Sequence, residues 1–219
     1  MKRDLPMNPT LRRPQVRERR RVALGFGLVL ASMVVLFRAP PQYFVDVTFL
    51  STSCMLASAY AAGAWTGVNK PGPLAVGAGS VSAAIIYAVF LAGNAAISSL
   101  HPFGFGPSEA SSVYSLIAKS NPLYVQTGVL LFDAGGYEGF FRGVLQARLE
   151  GGLGVGAAPL VAALDSAIHI LTLNPLWVAT TFVADLGWGL TYHYTRRLSA
   201  SFISHLIWDA AIFIAFPIR

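Results

Sequence analysis

Charge is scarce in this sequence. Asp, Glu, Lys and Arg make up 12% of its 219 residues and apolar residues 54%, whereas a soluble domain carries about twice that share of charge. Cysteine is nearly absent. The one thiol, Cys54, sits inside an apolar block, which rules out an internal disulfide and a Cys-based metal or redox motif and leaves a small core residue. There is no internal repeat. A phosphate loop is also missing: 151-GGLGVG-156 has no Lys-Ser or Lys-Thr after it and no strand before it, and reads as a flexible loop joining two helices.

What the chain has instead is long apolar blocks, at about 22–37, 44–66, 74–97, 122–146, 157–173, 176–194 and 199–216. A membrane-spanning helix needs about 20 such residues, with tilt and snorkelling absorbing the mismatch. The breakers 39-APPQ-42, 68-VNKPGP-73, 102-PFGFGP-107, 151-GGLGVG-156 and 174-NP-175 fall between the blocks. The expected fold is therefore all-α, a polytopic transmembrane helical bundle of about seven spans. Six is the alternative count, with the first block re-entrant or cleaved. In the longest loop, about 98–121, Ser108 is placed to cap a short interfacial helix.

Eight of the sixteen Lys and Arg lie in the first 21 residues. A basic run just before an apolar helix could be a nucleic-acid arm, but it reads better as a topology signal that touches anionic lipid, so no nucleic-acid partner is expected. The same run resembles the start of a signal peptide, yet 37-FRAPPQ-42 is a poor cleavage site, and an uncleaved first helix is favoured. With the N-terminus in the cytoplasm, seven spans put Lys2, Arg3, Arg12, Arg13, Arg17, Arg19, Arg20, Arg21, Lys70, Arg148, Arg196 and Arg197 on the cytoplasmic side, and Arg38, Lys119 and Arg219 outside. That split obeys the positive-inside rule and suits a multi-pass protein of the cell membrane. Three parts follow: a basic cytoplasmic segment 1–21, N-terminal helices with an external loop over 22–121, and a helical core over 122–219.

Against this apolar background, Asp133, Glu138, Asp165, Asp185 and Asp209 lie well inside the blocks, as do Arg142, His169 and His205. A charge at mid-bilayer costs at least about 2.5–3.5 kcal/mol, so such residues pair, face the bundle interior and mark function. Glu138 and Arg142, Asp165 and His169, and His205 and Asp209 are each four apart, on one face of their helix. The simplest packing turns all three faces to one shared site. Structural glue is the alternative, but Ser, Thr and small residues would hold a bundle at far lower cost. Asp185 has no visible partner. His101 reads as a solvated loop residue, His193 as part of an interfacial aromatic belt, and Trp65, Trp188 and Trp208 as packing residues or anchors.

A carboxylate with a histidine can activate water, and a second histidine with an acid can hold an oxyanion. That set suits hydrolysis of an acyl bond. His169, His205, Glu138 and Asp209 also offer donors that zinc would accept, and the same groups could relay protons in a small transporter.

The stretch of about 125–216 resembles the CAAX-protease and bacteriocin-processing (CPBP, or Abi) family of intramembrane proteases, which includes Rce1-type enzymes. Three motifs carry the resemblance. Glu-Glu-x-x-x-Arg-Gly stands here as 137-YEGFFRG-143, Phe-x-x-x-His as 165-DSAIH-169, and His-x-x-x-Asn/Asp as 205-HLIWD-209, with the lead-in 187-GWGLTYHYTRRLSASFISH-205. The resemblance implies a helical bundle and a glutamate-type endopeptidase that needs no metal or other cofactor. Its substrate would be a membrane protein or peptide, such as a lipid-anchored C-terminus or a leader. It implies that His169 activates water, that His205 and Asp209 hold the oxyanion, and that Glu138 and Arg142 support the site. Two positions depart from the pattern. Tyr137 stands where the family has its first glutamate, and Asp165 where it has phenylalanine. A phenol is a poor general base near neutral pH. The missing carboxylate is replaced by Glu138, by Asp165 or by Asp133, or else the chain is a catalytically inactive member that binds or scaffolds membrane proteins.

Overall fold

The computed structural model describes residues 16–65, 71–99, 107–118 and 123–218. Among them every regular element is a helix, in the order α1 (Val16–Arg38), α2 (Phe44–Ala61), α3 (Pro73–Ser98), α4 (Pro107–Ala118), α5 (Leu123–Phe140), α6 (Ala147–Leu153), α7 (Ala157–His169), α8 (Pro175–Thr195) and α9 (Leu198–Asp209). Two π-helical turns interrupt the pattern. Phe141–Gln146 joins α5 to α6, and Ala210–Ala215 continues α9. Such turns insert an extra residue into the helical register and are frequent at functional sites.

Among the described residues, five stretches are long and apolar enough to cross a membrane: Arg20–Arg38, Phe44–Ala61, Pro73–Ser98, Thr127–Thr172 and Leu198–Ala215. The fourth, of 46 residues, takes in α5 to α7 and so joins two of the apolar blocks. Helix α8 is not among the five. Its sequence carries Asp185 with four Thr, two Tyr and one His, and it packs against α3, α7 and α9 within the bundle. The protein is a multi-pass membrane helical bundle.

Local chemistry explains where the helices start and stop. Asn174 caps α8 by accepting from the Trp177 backbone amide at 3.0 Å, with Pro175 in the first turn, where its missing donor is harmless. Helix α4 begins at Pro107, so Ser108 lies inside its first turn and is not its cap. The 151–156 glycine run is not a flexible loop: Gly151 and Gly152 are helical, Gly154 ends α6 at φ +54°, and a 3-10 turn leads directly into α7. His101 lies outside the described residues.

Small residues set the helix spacings. A Cβ on Gly79 would stand 2.7 Å from the Ala200 carbonyl oxygen and 2.9 Å from Ile203, and one on Gly136 would stand 2.6 Å from the Thr52 methyl. These close approaches clamp α3 to α9 and α2 to α5, as is usual for helix pairs in lipid, where backbones pack through small residues. Gly79→Ala is expected to destabilise the protein by about 1–3 kcal/mol through overpacking. Gly77→Ala, with open space beside it, should be neutral in the same thermal unfolding measurement in detergent.

Candidate functional site

The first π turn begins three residues after Glu138 and contains Arg142, and the second begins directly after Asp209. Between these turns the polar faces of α5, α7, α8 and α9 meet. Glu138, Arg142, Asp165 and Asp185 are fully buried, and Tyr137, His169, His205 and Asp209 nearly so.

Arg142 organises one half of the cluster. Its guanidinium donates to both Asp185 oxygens, Nη2 to Oδ1 and Nη1 to Oδ2 at 3.3 Å. Its Nε stands 3.4 Å from Glu138 Oε2. The other Glu138 oxygen meets His205 Nδ1 at 2.9 Å, and His205 Nε2 lies 3.5 Å from Asp209 Oδ2. Asp185, Arg142, Glu138, His205 and Asp209 thus form one chain of alternating partners across three helices. Trp188 stacks flat on the His205 ring, with centroids 3.6 Å apart and planes 11° apart, while Tyr137 meets that ring edge-on at 5.3 Å. With a carboxyl group near each nitrogen and aromatic rings against it, the His205 ring is held in one orientation.

The other half joins α5 to α7. The Tyr137 hydroxyl donates to Asp165 Oδ2, and Asp165 Oδ1 has no hydrogen-bond partner among the described residues. His169 Nδ1 lies 3.0 Å from the Asp165 backbone carbonyl and 3.8 Å from its Oδ2. A carbonyl can only accept, so Nδ1 carries the proton and the neutral ring keeps its lone pair on Nε2. Phe37 and Trp177 flank this ring at 4.8 and 5.9 Å. Asp133, one turn before Tyr137 on α5, accepts from Thr52 of α2 at 2.6 Å and lies within Coulombic reach of His205 and Asp209.

A cavity of about 170 Å³ opens beside the cluster, and Asp133, Tyr137, His169 and Asp209 face it. Its remaining walls are mostly apolar, with Phe37, Phe44, Trp177 and Phe213 among them. Glu138, Asp165, Arg142, Asp185 and His205 are not part of its lining. Among the described residues, no three His, Cys, Asp or Glu side chains converge as a metal-ligand set.

The three motif pairs are therefore brought together, but unequally. His169 and Asp209 reach the cavity, while Glu138, Arg142, Asp165 and His205 stand behind it. Asp185, without a visible partner in the sequence, is the carboxylate that holds Arg142. The His205 stack gives Trp188 a positioning contact beyond simple packing. Thr52 and Trp177 carried no signal in the sequence, since nothing in a Thr or a Trp on an apolar helix marks a distant partner. His193 pairs with Glu150 at 3.1 Å, and Arg196 also bonds Glu150, so His193 belongs to a polar knot at one end of the bundle.

The arrangement defines a class: a multi-pass membrane protein with a buried acid–histidine cluster beside an apolar cavity. Residues 119–211 match the model of the family described as type II CAAX prenyl endopeptidase Rce1-like, and this part of the chain is similar to that family. No curated protein and no solved structure matches the chain. The match supports a function of the CAAX-type intramembrane protease kind.

Proposed function

We propose that the protein is an intramembrane endopeptidase that activates water at His169 and cleaves a peptide bond of a membrane-associated protein or peptide. The observation that carries this reading is the cavity wall: an imidazole whose Nε2 has no hydrogen-bond partner among the described residues shares it with two carboxyl groups, deep among apolar side chains. Nε2 takes the proton of a water molecule as that water attacks the carbonyl carbon, and returns it to the departing amine. Asp133 is the acid best placed to orient the water, because it faces the cavity. Glu138 has both oxygens turned to Arg142 and His205, and Asp165 is covered by the Tyr137 hydroxyl. The His205 ring, held behind the wall beside Asp209, is the group that would polarise the carbonyl oxygen. Arg142, Asp185 and Glu138 hold His205 in place, and Tyr137 with Asp165 holds α7 against α5.

The wider assignment follows from charge. Residues 1–21 are a basic cytoplasmic segment of a cell-membrane protein, 22–121 supply the first helices and the external α4, and 122–219 form the catalytic-type core. Asp133→Asn should lower turnover by roughly 10²-fold or more, in the range ordinarily lost with an acid–base group, with thermal unfolding unchanged. Glu138→Gln should instead lower the unfolding temperature, and the two effects are separated by measuring peptide cleavage and melting on the same detergent-purified samples. A second reading rests on Tyr137, an aromatic at the position of the motif's first acid: an inactive family member that binds membrane proteins. It predicts that Asp133→Asn and His169→Ala change no cleavage event.

A further inference from the structure

The cavity lies toward one end of the bundle. Its lining comes from the last turns of α1 (Met33, Leu36, Phe37), the first turns of α2 (Phe44, Val45, Thr48), the C-terminal end of α7 (His169) and the N-terminal end of α8 (Trp177). Helix α4 covers the same end. Its Val113 joins the lining, and Asn174 before α8 donates to the Glu109 carbonyl and to Ser112, both at 3.0 Å.

The opposite end carries the positive charge. There Arg148 donates to the Ala62 carbonyl after α2 at 2.9 Å, Arg196 and His193 converge on Glu150, and Arg197 precedes α9. Helix α1 begins at this end, bringing Arg20 and Arg21, because Gly25 packs on Ser58 near the end of α2. At the cavity end the described residues hold one basic side chain, Arg38, against the acids Asp46 and Glu109. Basic residues stay in the cytoplasm, so the charge asymmetry fixes which way the cavity looks.

We infer that the cavity opens to the extracytoplasmic face of the membrane and receives an apolar segment of an exported polypeptide from outside. This inference rests on the endopeptidase reading for what happens to the segment, but not for the direction of access. The lining chemistry narrows the segment further. The described wall has two aspartates and no Lys or Arg, so a free C-terminal carboxylate or an acidic side chain beside the cleaved bond would meet like charge with nothing to balance it. An internal bond among apolar residues fits.

Three single-cysteine proteins in a Cys54→Ser background test this in intact bacterial cells: Gln42→Cys at the cavity end, Val113→Cys in the cavity wall, and Gly152→Cys at the basic end. Gln42 is exposed, and a side chain on Gly152 meets open space, so neither change disturbs packing. A small membrane-impermeant methanethiosulfonate cation should modify Gln42→Cys and Val113→Cys from outside, and Gly152→Cys only after permeabilisation. Modification of Gly152→Cys in intact cells, with the other two protected until permeabilisation, would overturn the inference and turn the cavity to the cytoplasm. The readout needs no catalysis. If His169→Ala alters no protein termini, the endopeptidase reading fails and the labelling still reports the direction of access. If His169-dependent cuts fall in cytoplasmic segments, the inference fails and the endopeptidase stands.

Discussion

Arg142→Ala should empty the membrane of folded protein. The guanidinium is fully buried and is the partner of two buried carboxyl groups, Asp185 and Glu138. Removing one member of a buried pair costs about 3–5 kcal/mol, because the other charge is left behind without compensation. Here two are left. Net stabilities of folded domains are about 5–15 kcal/mol, so the loss takes a large part of the total. Arg142→Lys keeps the charge but cannot bridge Asp185 through two nitrogens while reaching Glu138 through a third. It should recover part of the stability and no more. Removing all three members together, as Arg142→Met with Asp185→Leu and Glu138→Gln, should recover more of it than Arg142→Ala retains, since no orphaned charge remains. Melting curves of detergent-purified variants check the order. Equal stability of Arg142→Ala and wild type would mean that water, and not Asp185 and Glu138, surrounds the guanidinium.

The largest effect on activity should come from His169→Ala. This substitution removes the imidazole of the cavity wall, whose Nε2 carries no hydrogen bond among the described residues, and loss of a general base of this kind costs roughly 10²–10⁴-fold in rate. Abundance should not change, because among the described residues the ring's one hydrogen bond goes to a carbonyl of its own helix. His205→Ala should differ in kind. It uncouples Glu138 from Asp209 and removes the partner of the Trp188 stack, so cleavage and stability should fall together. Measuring both quantities on both variants distinguishes the histidine facing the cavity from the histidine that is held.

The sequence carried much of this. Seven apolar blocks correspond closely to helices, because a bilayer demands long uninterrupted runs and Pro and Gly must fall between them. Ionisable residues four apart on those runs announced an internal polar site, since lipid tolerates them nowhere else. What stayed hidden was pairing across the bundle. Arg142 could be matched to Glu138 by spacing, yet its bidentate partner is Asp185, 43 positions later on another helix. Which acid faces the cavity was equally hidden. Asp133, Glu138 and Asp165 were equivalent candidates along the chain, and only the rotation of α5 and the Tyr137–Asp165 bond separate them. The π turns left no mark in composition, although they change which residues share a face immediately beyond Glu138 and Asp209. The glycine run at 151–156 misled for a related reason: glycines that look like a loop in isolation are carried into a helix when the elements on either side fix them.

Hydrolysis of peptide bonds through His169 can be read from quantitative profiling of protein termini in membranes of cells that hold wild type or His169→Ala at equal abundance. A set of termini should be present with wild type and lost with the variant, lying within apolar segments of membrane-associated proteins. Identical termini in the two membranes, with both proteins folded and equally abundant, would contradict it.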